Sequence, residues 1–408
     1  MARKATEINK KNLEKLKESV LKKIDFKLLR SVDCDKLAKV TSKETESYIN
    51  GITFKRIYGF TKYNFNPSVQ TLDIISQFVG FNNWYEFEMS LNKHQPISDR
   101  ELDILLSFYD FDLINNIEFH DGGIQSMSRK IALRFREDVS AFKRAIPFLA
   151  KNKYAQKFFI EHFPDYDNLC NYYYLLYEEY LKQSERRSAQ LLCHSMLFLK
   201  SFWTLNEEDC VFHISEIRKI GISKGDHTFL IGRYYAYNIL YETKYGKKEM
   251  AYSYYDEYLA LRDHLPKSGK GYLDFPASEY IISEALLYLE AYPKCIEIIE
   301  LAYEEFSLKM EFVRKGYYRQ MHLFWLIAKK HVNPSFKIEK QLQKINPNIF
   351  YFISMKYFSV TYNYAKFLSS GDFNYLEQSK ETFEEMGVTF FTDLLIPQSL
   401  KIQAIDFP

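Results

Sequence analysis

Residues 169–177 read Leu-Cys-Asn-Tyr-Tyr-Tyr-Leu-Leu-Tyr, and their large apolar side chains recur at intervals of three and four. This spacing places the apolar side chains on one face of an α-helix. The stretches 281–289 and 296–306 repeat the pattern, and no region shows a clean period of two over several strands. The spacing therefore predicts an all-α fold from residue 97 onward.

The composition of the 408-residue chain favours the same fold class. The chain has 33 Tyr, 34 Phe and 3 Trp but only 14 Gly and 11 Pro. Both helix breakers fall near half of their ordinary usage, which is about 7% and 5%. This composition excludes disordered and collagen-like chains and argues against a many-turned β-sandwich. We expect most aromatic side chains to form the core of packed helices, with tyrosine hydroxyls at its wet edge, rather than to hold a cofactor.

Paired helices are predicted to recur in the second half of the chain. First helices are expected at 229–241, 280–289, 317–329 and 352–368, and second helices at 252–261, 296–306, 336–345 and 375–386. The second helices are centred roughly 40 residues apart, a period typical of two-helix solenoid repeats. The pattern predicts an α-solenoid of degenerate repeats, and a non-repetitive helical bundle is the alternative.

A linker divides this region from the N-terminal part of the chain. The string His94-Gln95-Pro96-Ile97 precedes Ser98 and Glu101, whose spacing is that of a capping box at a helix start. We therefore place a domain boundary near residue 96. Residues 1–95 are predicted to hold a basic helix and a small helical domain, and residues 97–408 the helical repeats.

Charge is divided unevenly between the two parts. The whole chain has a formal charge of +2, but residues 1–62 carry 16 Lys and Arg against 8 Asp and Glu, a net charge of +8. Residues 63–408 consequently sum to −6. The basic part, which begins with an amphipathic helix predicted over 8–29, is either a solvated surface or a surface that binds phosphate.

Two strings lie in this basic region and just after it. Residues 49–60 read Ile-Asn-Gly-Ile-Thr-Phe-Lys-Arg-Ile-Tyr-Gly-Phe. Asn50 is predicted to cap a short helix, with Ile49 and Phe54 forming a hydrophobic staple. The core-facing residues would be Phe54, Ile57 and Tyr58, whereas Gly51, Ile52, Lys55 and Arg56 would face elsewhere.

Residues 66–87 form the second string, Asn-Pro-Ser-Val-Gln-Thr-Leu-Asp-Ile-Ile-Ser-Gln-Phe-Val-Gly-Phe-Asn-Asn-Trp-Tyr-Glu-Phe. Pro67 and Ser68 are predicted to open a helix that Gly80 closes in a left-handed conformation. Its apolar face would contain Val69, Leu72, Ile75 and Phe78 or Val79. A further helix is predicted to start at Asn83 and Glu86 and to dock through Trp84 and Phe87.

Together the two strings resemble a bacterial helix-turn-helix-like module related to the lambda-repressor-like domains. The resemblance covers about residues 30–90 and is carried by Ile49, Thr53, Arg56, Gly59, Phe60, Pro67, Ser68, Thr71, Leu72, Asp73, Gly80, Phe81, Trp84 and Phe87. Asn50 stands where the family has serine. Such a module ahead of helical repeats is similar to bacterial regulators that sense peptides in a tetratricopeptide-like domain.

The resemblance implies a DNA-binding transcription regulator. Helix 49–60 would enter the major groove of double-stranded DNA, after a first helix near residues 34–40. Asn50 and Thr53 would reach base edges, and phosphate would be held by Lys43, Lys55, Arg56 and Lys62. Arg56 has a structural alternative, which is an ion pair with a carboxylate. The repeat domain is expected to bind a protein or peptide ligand or to form a homodimer.

The alternative function is a protein-interaction scaffold in which the N-terminal module binds protein rather than DNA. No enzyme class is indicated, and we expect no cofactor, although a helical active site without a recognisable signature is a third alternative. The loop 267–271 lacks the residues of a phosphate-binding loop. Cys193-His194 and Cys210-x-x-His213 could suggest zinc, but adjacent residues on a helix point about 100° apart. We therefore expect core cysteines and surface histidines, and no metal.

The cellular location is inferred from three features. The five cysteines are scattered and odd in number, which is typical of reduced thiols rather than of a disulfide framework. The first 23 residues lack the apolar segment of a secretory signal, and no stretch has the roughly 18 uncharged apolar residues of a membrane span. We expect a cytoplasmic protein that does not enter a membrane.

Overall fold

The chain is all-helical in the computed structural model. The structure describes residues 10–61, 67–91, 96–110, 121–223, 225–265, 277–306, 315–345 and 352–390, and no β-strand occurs within these ranges. The predicted all-α fold class is therefore confirmed. Two compact units divide the chain: unit 1 comprises residues 1–97 with 133–138, and unit 2 comprises residues 98–132 with 139–408.

Five helices lie in the described part of residues 1–97. They are α1 (Lys10–Lys23), α2 (Ser31–Thr45), α3 (Gly51–Ile57), α4 (Val69–Phe78) and α5 (Trp84–Leu91). All five contribute to one core, with Leu16, Leu37, Phe54, Leu72 and Phe87 among its buried members. A small apolar core shared by these five helices holds the N-terminal part of this unit together.

Side-chain caps begin three of these helices at the positions that the sequence predicts. Asn50 Oδ1 accepts a hydrogen bond from the backbone N–H of Ile52 at 2.9 Å, and Ser68 Oγ accepts one from Thr71 at 3.2 Å. Asn83 Oδ1 accepts one from the N–H of Glu86 at 2.9 Å. Each cap accepts a hydrogen bond from a backbone N–H group that has no partner within the first turn of the helix.

Two details of the N-terminal helices differ from expectation. The helix predicted over 8–29 ends at Lys23, and Ile24 and Leu28 pack on the core from the segment that follows it. That segment turns because the Asp33 carboxylate accepts the backbone N–H groups of Leu29 and Arg30, which opens α2 instead. Val69 lies in the first turn of α4 and is exposed rather than part of its buried face.

Fifteen further helices follow in chain order within the described ranges. They are α6 (Asp99–Ser107), α7 (Asp121–Glu137), α8 (Val139–Lys151), α9 (Lys153–Ala155), α10 (Tyr174–Gln183), α11 (Arg187–Trp203), α12 (Glu207–Ile220), α13 (Thr228–Lys244), α14 (Lys248–Arg262), α15 (Ala277–Tyr288), α16 (Tyr292–Phe306), α17 (Lys315–Val332), α18 (Glu339–Leu342), α19 (Met355–Ser370) and α20 (Asn374–Met386). Shorter π-helical and 3₁₀ turns occupy 156–160, 166–168, 169–173 and 352–354.

The helices predicted as pairs occur with one exception. The four predicted first helices coincide with α13, α15, α17 and α19, and α14, α16 and α20 occupy three of the second positions. The region 336–345 forms only the four-residue α18. Pro293, predicted in a connection, lies in the first turn of α16, and the turn before it is made by Glu290 with a φ of 58°.

Unit 2 brings together segments that are distant in sequence. Helices α11, α13, α15, α17 and α19 contact one another in succession, and α19 also contacts residues 166–168. Asp167 accepts hydrogen bonds from the backbone N–H groups of Lys356 and Tyr357, which lie 189 and 190 residues away in sequence. In an open solenoid each repeat contacts only its neighbours. Here the last helices of the succession return to the segment that precedes the first.

Further bonds strengthen this return. The backbone N–H groups of Thr389 and Phe390 donate to the carbonyl of Trp203 at 2.9 and 3.1 Å. The Asn171 side chain donates to the carbonyl of Glu385 at 3.0 Å. Phe390 also packs edge-on against Phe202, with ring centroids 4.5 Å apart. Among the residues described, no helix is long and apolar enough to cross a membrane.

We expect Asp167→Ala to lower the free energy of unfolding by about 3 kcal/mol, because two backbone donors at the start of α19 would lose a buried acceptor. Asp167→Asn keeps one oxygen acceptor and should cost less. Asp372→Ala is the matched control, since Asp372 caps α20 locally and is exposed; its loss should be about 1 kcal/mol. Urea denaturation followed by far-UV circular dichroism measures all three. Equal losses for Asp167→Ala and Asp372→Ala would show that the long-range contact adds nothing.

Candidate functional site

The turn between α2 and α3 is held by side-chain hydrogen bonds. Ser42 Oγ accepts from the backbone N–H of Ile49 at 3.1 Å, and Glu46 ends α2 in a left-handed conformation with a φ of 53°. Asn50 then caps α3 through Ile52. The turn therefore presents the first residues of α3 in one defined orientation relative to α2.

Gly51 lies where α3 packs closely against α2. A Cβ atom at this position would lie 2.0 Å from Asp35 Oδ1 and 3.0 Å from Asp35 Cα. The sequence pattern placed Gly51 away from the core, but the residue is buried. Glycine at this position therefore allows close packing of the two helices, which outweighs its poor helix propensity.

Lys55 faces the same carboxylate. Its ammonium lies 2.8 Å from Asp35 Oδ2, and the Asp35 side chain is about half exposed. Lys55 follows Gly51 by four residues, so both positions lie on the side of α3 that faces α2. Lys55 was predicted to hold phosphate; in the structure its ammonium connects α3 to α2.

The opposite side of α3 is exposed. Ile52 and Arg56, four residues apart, are both exposed, and Thr53 beside them is half-buried. The Arg56 side chain lies at the surface. Asn50, Thr53 and Arg56 are thus accessible along the first two turns of α3.

A basic stripe runs along α2, and we define it by Lys36, Lys39 and Lys43. These residues recur at spacings of three and four, so they lie on one face of the helix, and all three are exposed. The Lys36 ammonium lies 3.9 Å from the ring centroid of Phe26. Lys43 was a predicted phosphate ligand, whereas Lys36 and Lys39 were not. Lys62, also predicted, lies outside the described residues.

Exposed apolar side chains accompany the basic stripe. Four of them lie just before or within the first turns of α2 and α3: Leu29, Val32, Tyr48 and Ile52, exposed by 72%, 58%, 82% and 49%. The Tyr48 hydroxyl lies 3.4 Å from Asn50 Nδ2. The sequence gives no signal for Tyr48, because an aromatic residue before a helix cap is equally compatible with a buried position. Its exposure became apparent only in the folded chain.

The two histidines of the cysteine and histidine motifs meet, whereas the two cysteines have other neighbours, and His194 is buried rather than at the surface as expected. His194 Nδ1 lies 3.1 Å from His213 Nδ1, and burial lowers the pKa of His213 to about 4. Cys193 is buried near Glu161 and Arg186, and Cys210 is buried near the Tyr245 hydroxyl, where burial raises the pKa of its thiol to about 12. No group of three or more metal-ligating side chains occurs among the described residues.

We expect Gly51→Ala to lower the free energy of unfolding of unit 1 by about 1–3 kcal/mol, because the added methyl group overlaps Asp35. In the double variant Gly51→Ala/Asp35→Ala part of this loss should be recovered, since the overlapping carboxylate is gone while the backbone contact remains. A double-mutant cycle in urea gives the coupling energy. Gly225→Ala, where a Cβ meets nothing within 4 Å, is the control and should change stability by less than about 1 kcal/mol.

No protein-family model matches the chain, and no curated protein or solved structure matches it.

Proposed function

We propose that the chain is a DNA-binding regulatory protein. Unit 1 binds double-stranded DNA as a helix-turn-helix-like module formed by α2 and α3. Unit 2 is an array of degenerate, tetratricopeptide-like helix pairs that senses a protein, peptide or smaller ligand or pairs two copies of the chain. The observation that carries the proposal is the exposed side of α3, with Asn50, Thr53 and Arg56, next to a helix that bears the basic stripe.

The first turn of α3 supplies groups suited to reading base edges. The Asn50 carbonyl oxygen is engaged in the helix cap, so its amide group is the part that can donate to base acceptors. The Thr53 hydroxyl can donate or accept. Tyr48 and Ile52 offer apolar contact to thymine methyl groups or sugars. Major-groove recognition combines such contacts in this way.

Phosphate contacts fall to the exposed cations. Lys39, Lys43 and Arg56 are exposed, and Lys55 is half-buried and directed to Asp35. We therefore assign phosphate binding to the first three, with Lys62 as the sequence predicts, and a positioning role to Lys55. Neutralised phosphates release counterions, so affinity should fall steeply with salt.

The distribution of charge along the chain supports DNA binding by unit 1. A basic N-terminal region with a net charge of +8 precedes a remainder of −6, which concentrates attraction for DNA in unit 1. We propose a non-enzymatic protein that needs no cofactor and acts in the cytoplasm.

A second candidate function is a scaffold in which unit 1 binds protein. The observation that favours it is the set of four exposed apolar side chains, Leu29, Val32, Tyr48 and Ile52. Exposed apolar side chains near the starts of two helices in contact can contribute to a protein-binding surface. The two candidates differ in what removes binding: charge neutralisation should abolish DNA binding, whereas loss of apolar side chains should abolish protein binding.

We expect Lys43→Gln/Arg56→Gln to reduce duplex affinity by about tenfold or more and to lower the slope of log affinity against log salt by about 2. Asn50→Asp should also abolish sequence-specific binding, because it replaces the amide donor by a negative charge. Aspartate and asparagine are equally effective helix caps, so the thermal midpoint of Asn50→Asp should not fall. Duplexes selected from a random pool at 50 mM salt, then titrated at 50 and 200 mM, provide the measurement.

Lys248→Gln/Lys380→Gln is the matched control, because it changes the net charge equally at two exposed positions of unit 2. It should bind the selected duplexes nearly as the unmodified chain does. Absence of any enriched duplex at low salt would contradict the DNA-binding function. The scaffold function would be established instead if the unmodified chain captures a protein, Lys43→Gln/Arg56→Gln still captures it, and Tyr48→Ser/Ile52→Ser does not.

A further inference from the structure

A cleft in unit 2 is lined mainly by aromatic side chains. Its cavity volume is about 20 Å³, room for about one group the size of a water molecule or an ammonium ion. It is lined by Tyr166, Leu199, Trp203, Tyr237, Tyr280, Ile281, Glu284, Tyr357 and Phe358. These residues come from the turn at 166–168 and from α11, α13, α15 and α19. The succession of helices in unit 2 therefore places one carboxylate among five tyrosine and tryptophan rings.

Glu284 is the charged group in this lining. In α15 all residues are buried except Glu284 and Tyr288, which are half-buried and four residues apart. Within the described residues, no Lys or Arg nitrogen forms an ion pair with Glu284. A carboxylate removed from water without a cation is costly. Burial accordingly raises the pKa of Glu284 to about 7.

The hydrogen bonds at Glu284 prepare it as an acceptor. The Tyr357 hydroxyl donates to Glu284 Oε1, and the hydroxyls of Tyr288 and Tyr357 are also in hydrogen-bond contact. Since the one proton of Tyr357 is directed to the ionised carboxylate, Tyr288 must donate to Tyr357. The hydrogen bonds thus run from Tyr288 to Tyr357 and from Tyr357 to Glu284. They engage one oxygen of the Glu284 carboxylate and leave the other oxygen available to a ligand.

The aromatic walls favour a cation as the partner. The rings of Trp203 and Tyr357 are stacked with centroids 5.2 Å apart, and Tyr166 lies 6.4 Å from Trp203. The π-faces of Trp and Tyr attract ammonium groups, more strongly once water is excluded. A metal ion is less suitable, because no group of three or more ligating side chains occurs among the described residues.

We propose that this cleft binds the primary ammonium group of an organic amine, with Glu284 as the counter-ion and the rings of Trp203, Tyr166 and Tyr237 around it. The ammonium donates to the available oxygen of Glu284, and its alkyl stem extends out of the cleft through its open side. This assignment names the ligand class for the sensing role proposed for unit 2, on which it rests. It does not depend on DNA binding by unit 1.

The surroundings of Glu284 determine how binding varies with pH. Tyr357 from α19, Tyr288 from α15 and Tyr237 from α13 face it, and burial raises the pKa of each of these phenols well beyond the working range. The guanidinium of Arg233 donates to the Tyr166 hydroxyl at 3.0 Å and stays protonated. Glu284 is thus the group that titrates near neutral pH. The amine requires the ionised form, so its affinity should rise with pH.

The test uses the full-length chain without DNA and two probes of equal length, n-butylammonium and neutral 1-butanol. Saturation-transfer NMR titrations should show saturable binding of n-butylammonium, with 1-butanol bound about tenfold more weakly or not at all. Binding of the amine at pH 8 should be about tenfold or more tighter than at pH 5.5, since less than a tenth of a group with a pKa of 7 is ionised at the lower pH.

Glu284→Gln keeps an acceptor for Tyr357 but removes the charge, and it should weaken n-butylammonium binding by about tenfold or more while leaving 1-butanol unchanged. Glu297→Gln, an exposed position on α16, is the control and should bind as the unmodified chain does. Because Glu284→Gln removes a buried charge, its thermal midpoint at pH 8 should be equal or higher. The pH comparison on the unmodified chain remains decisive if this variant folds poorly.

Three results would overturn the assignment. They are equal binding of the amine and the alcohol, undiminished amine binding by Glu284→Gln, and the absence of saturable amine binding at pH 8. Failure of the DNA-binding function is recognised separately: Asn50→Asp should bind n-butylammonium normally, and Glu284→Gln should bind the selected duplexes normally when no amine is added.

Discussion

The buried carboxylate of Asp167 is the constraint on which much of unit 2 depends. Its two oxygens accept the backbone N–H groups of Lys356 and Tyr357 at the start of α19, where a helix has donors without intrahelical partners. Because this end of α19 is fixed, the Tyr357 ring stacks against Trp203 and the Tyr357 hydroxyl donates a hydrogen bond to Glu284. One acceptor therefore both joins segments about 190 residues apart and sets the geometry of the aromatic cleft.

Local features of the fold could be predicted from the sequence because they act within one turn of helix. Asn50 and Ser68 cap the helices they were expected to cap, and Ser98 accepts the N–H of Glu101 as the start of α6. The positions of Gly51 and Lys55 could not be predicted in this way. Both are determined by Asp35 on another helix, and the periodicity of one helix does not say which partner its faces will meet.

The same limit explains the two candidate sites. The chemistry of Asn50, Thr53 and Arg56 came from a resemblance, and the structure adds that Lys55 is directed to Asp35 while Lys39 and Lys43 are exposed. Glu284 had no signal at all, because an acidic residue in an apolar helix looks like a solvent-facing position. It became notable only when α15 was found to be buried on nearly all sides, since a helix buried all round has no solvent-facing stripe.

The bond between Trp203 and the segment 389–390 has a consequence for how the protein is made. A ribosome adds roughly 5–20 residues each second, so α11 emerges well before Thr389 and Phe390 exist to cover it. During synthesis the Phe202 and Trp203 end of that helix stays without its final partners. Nascent chains of this protein should accordingly be more dependent on chaperones, and more easily cleaved by proteases, than the released chain.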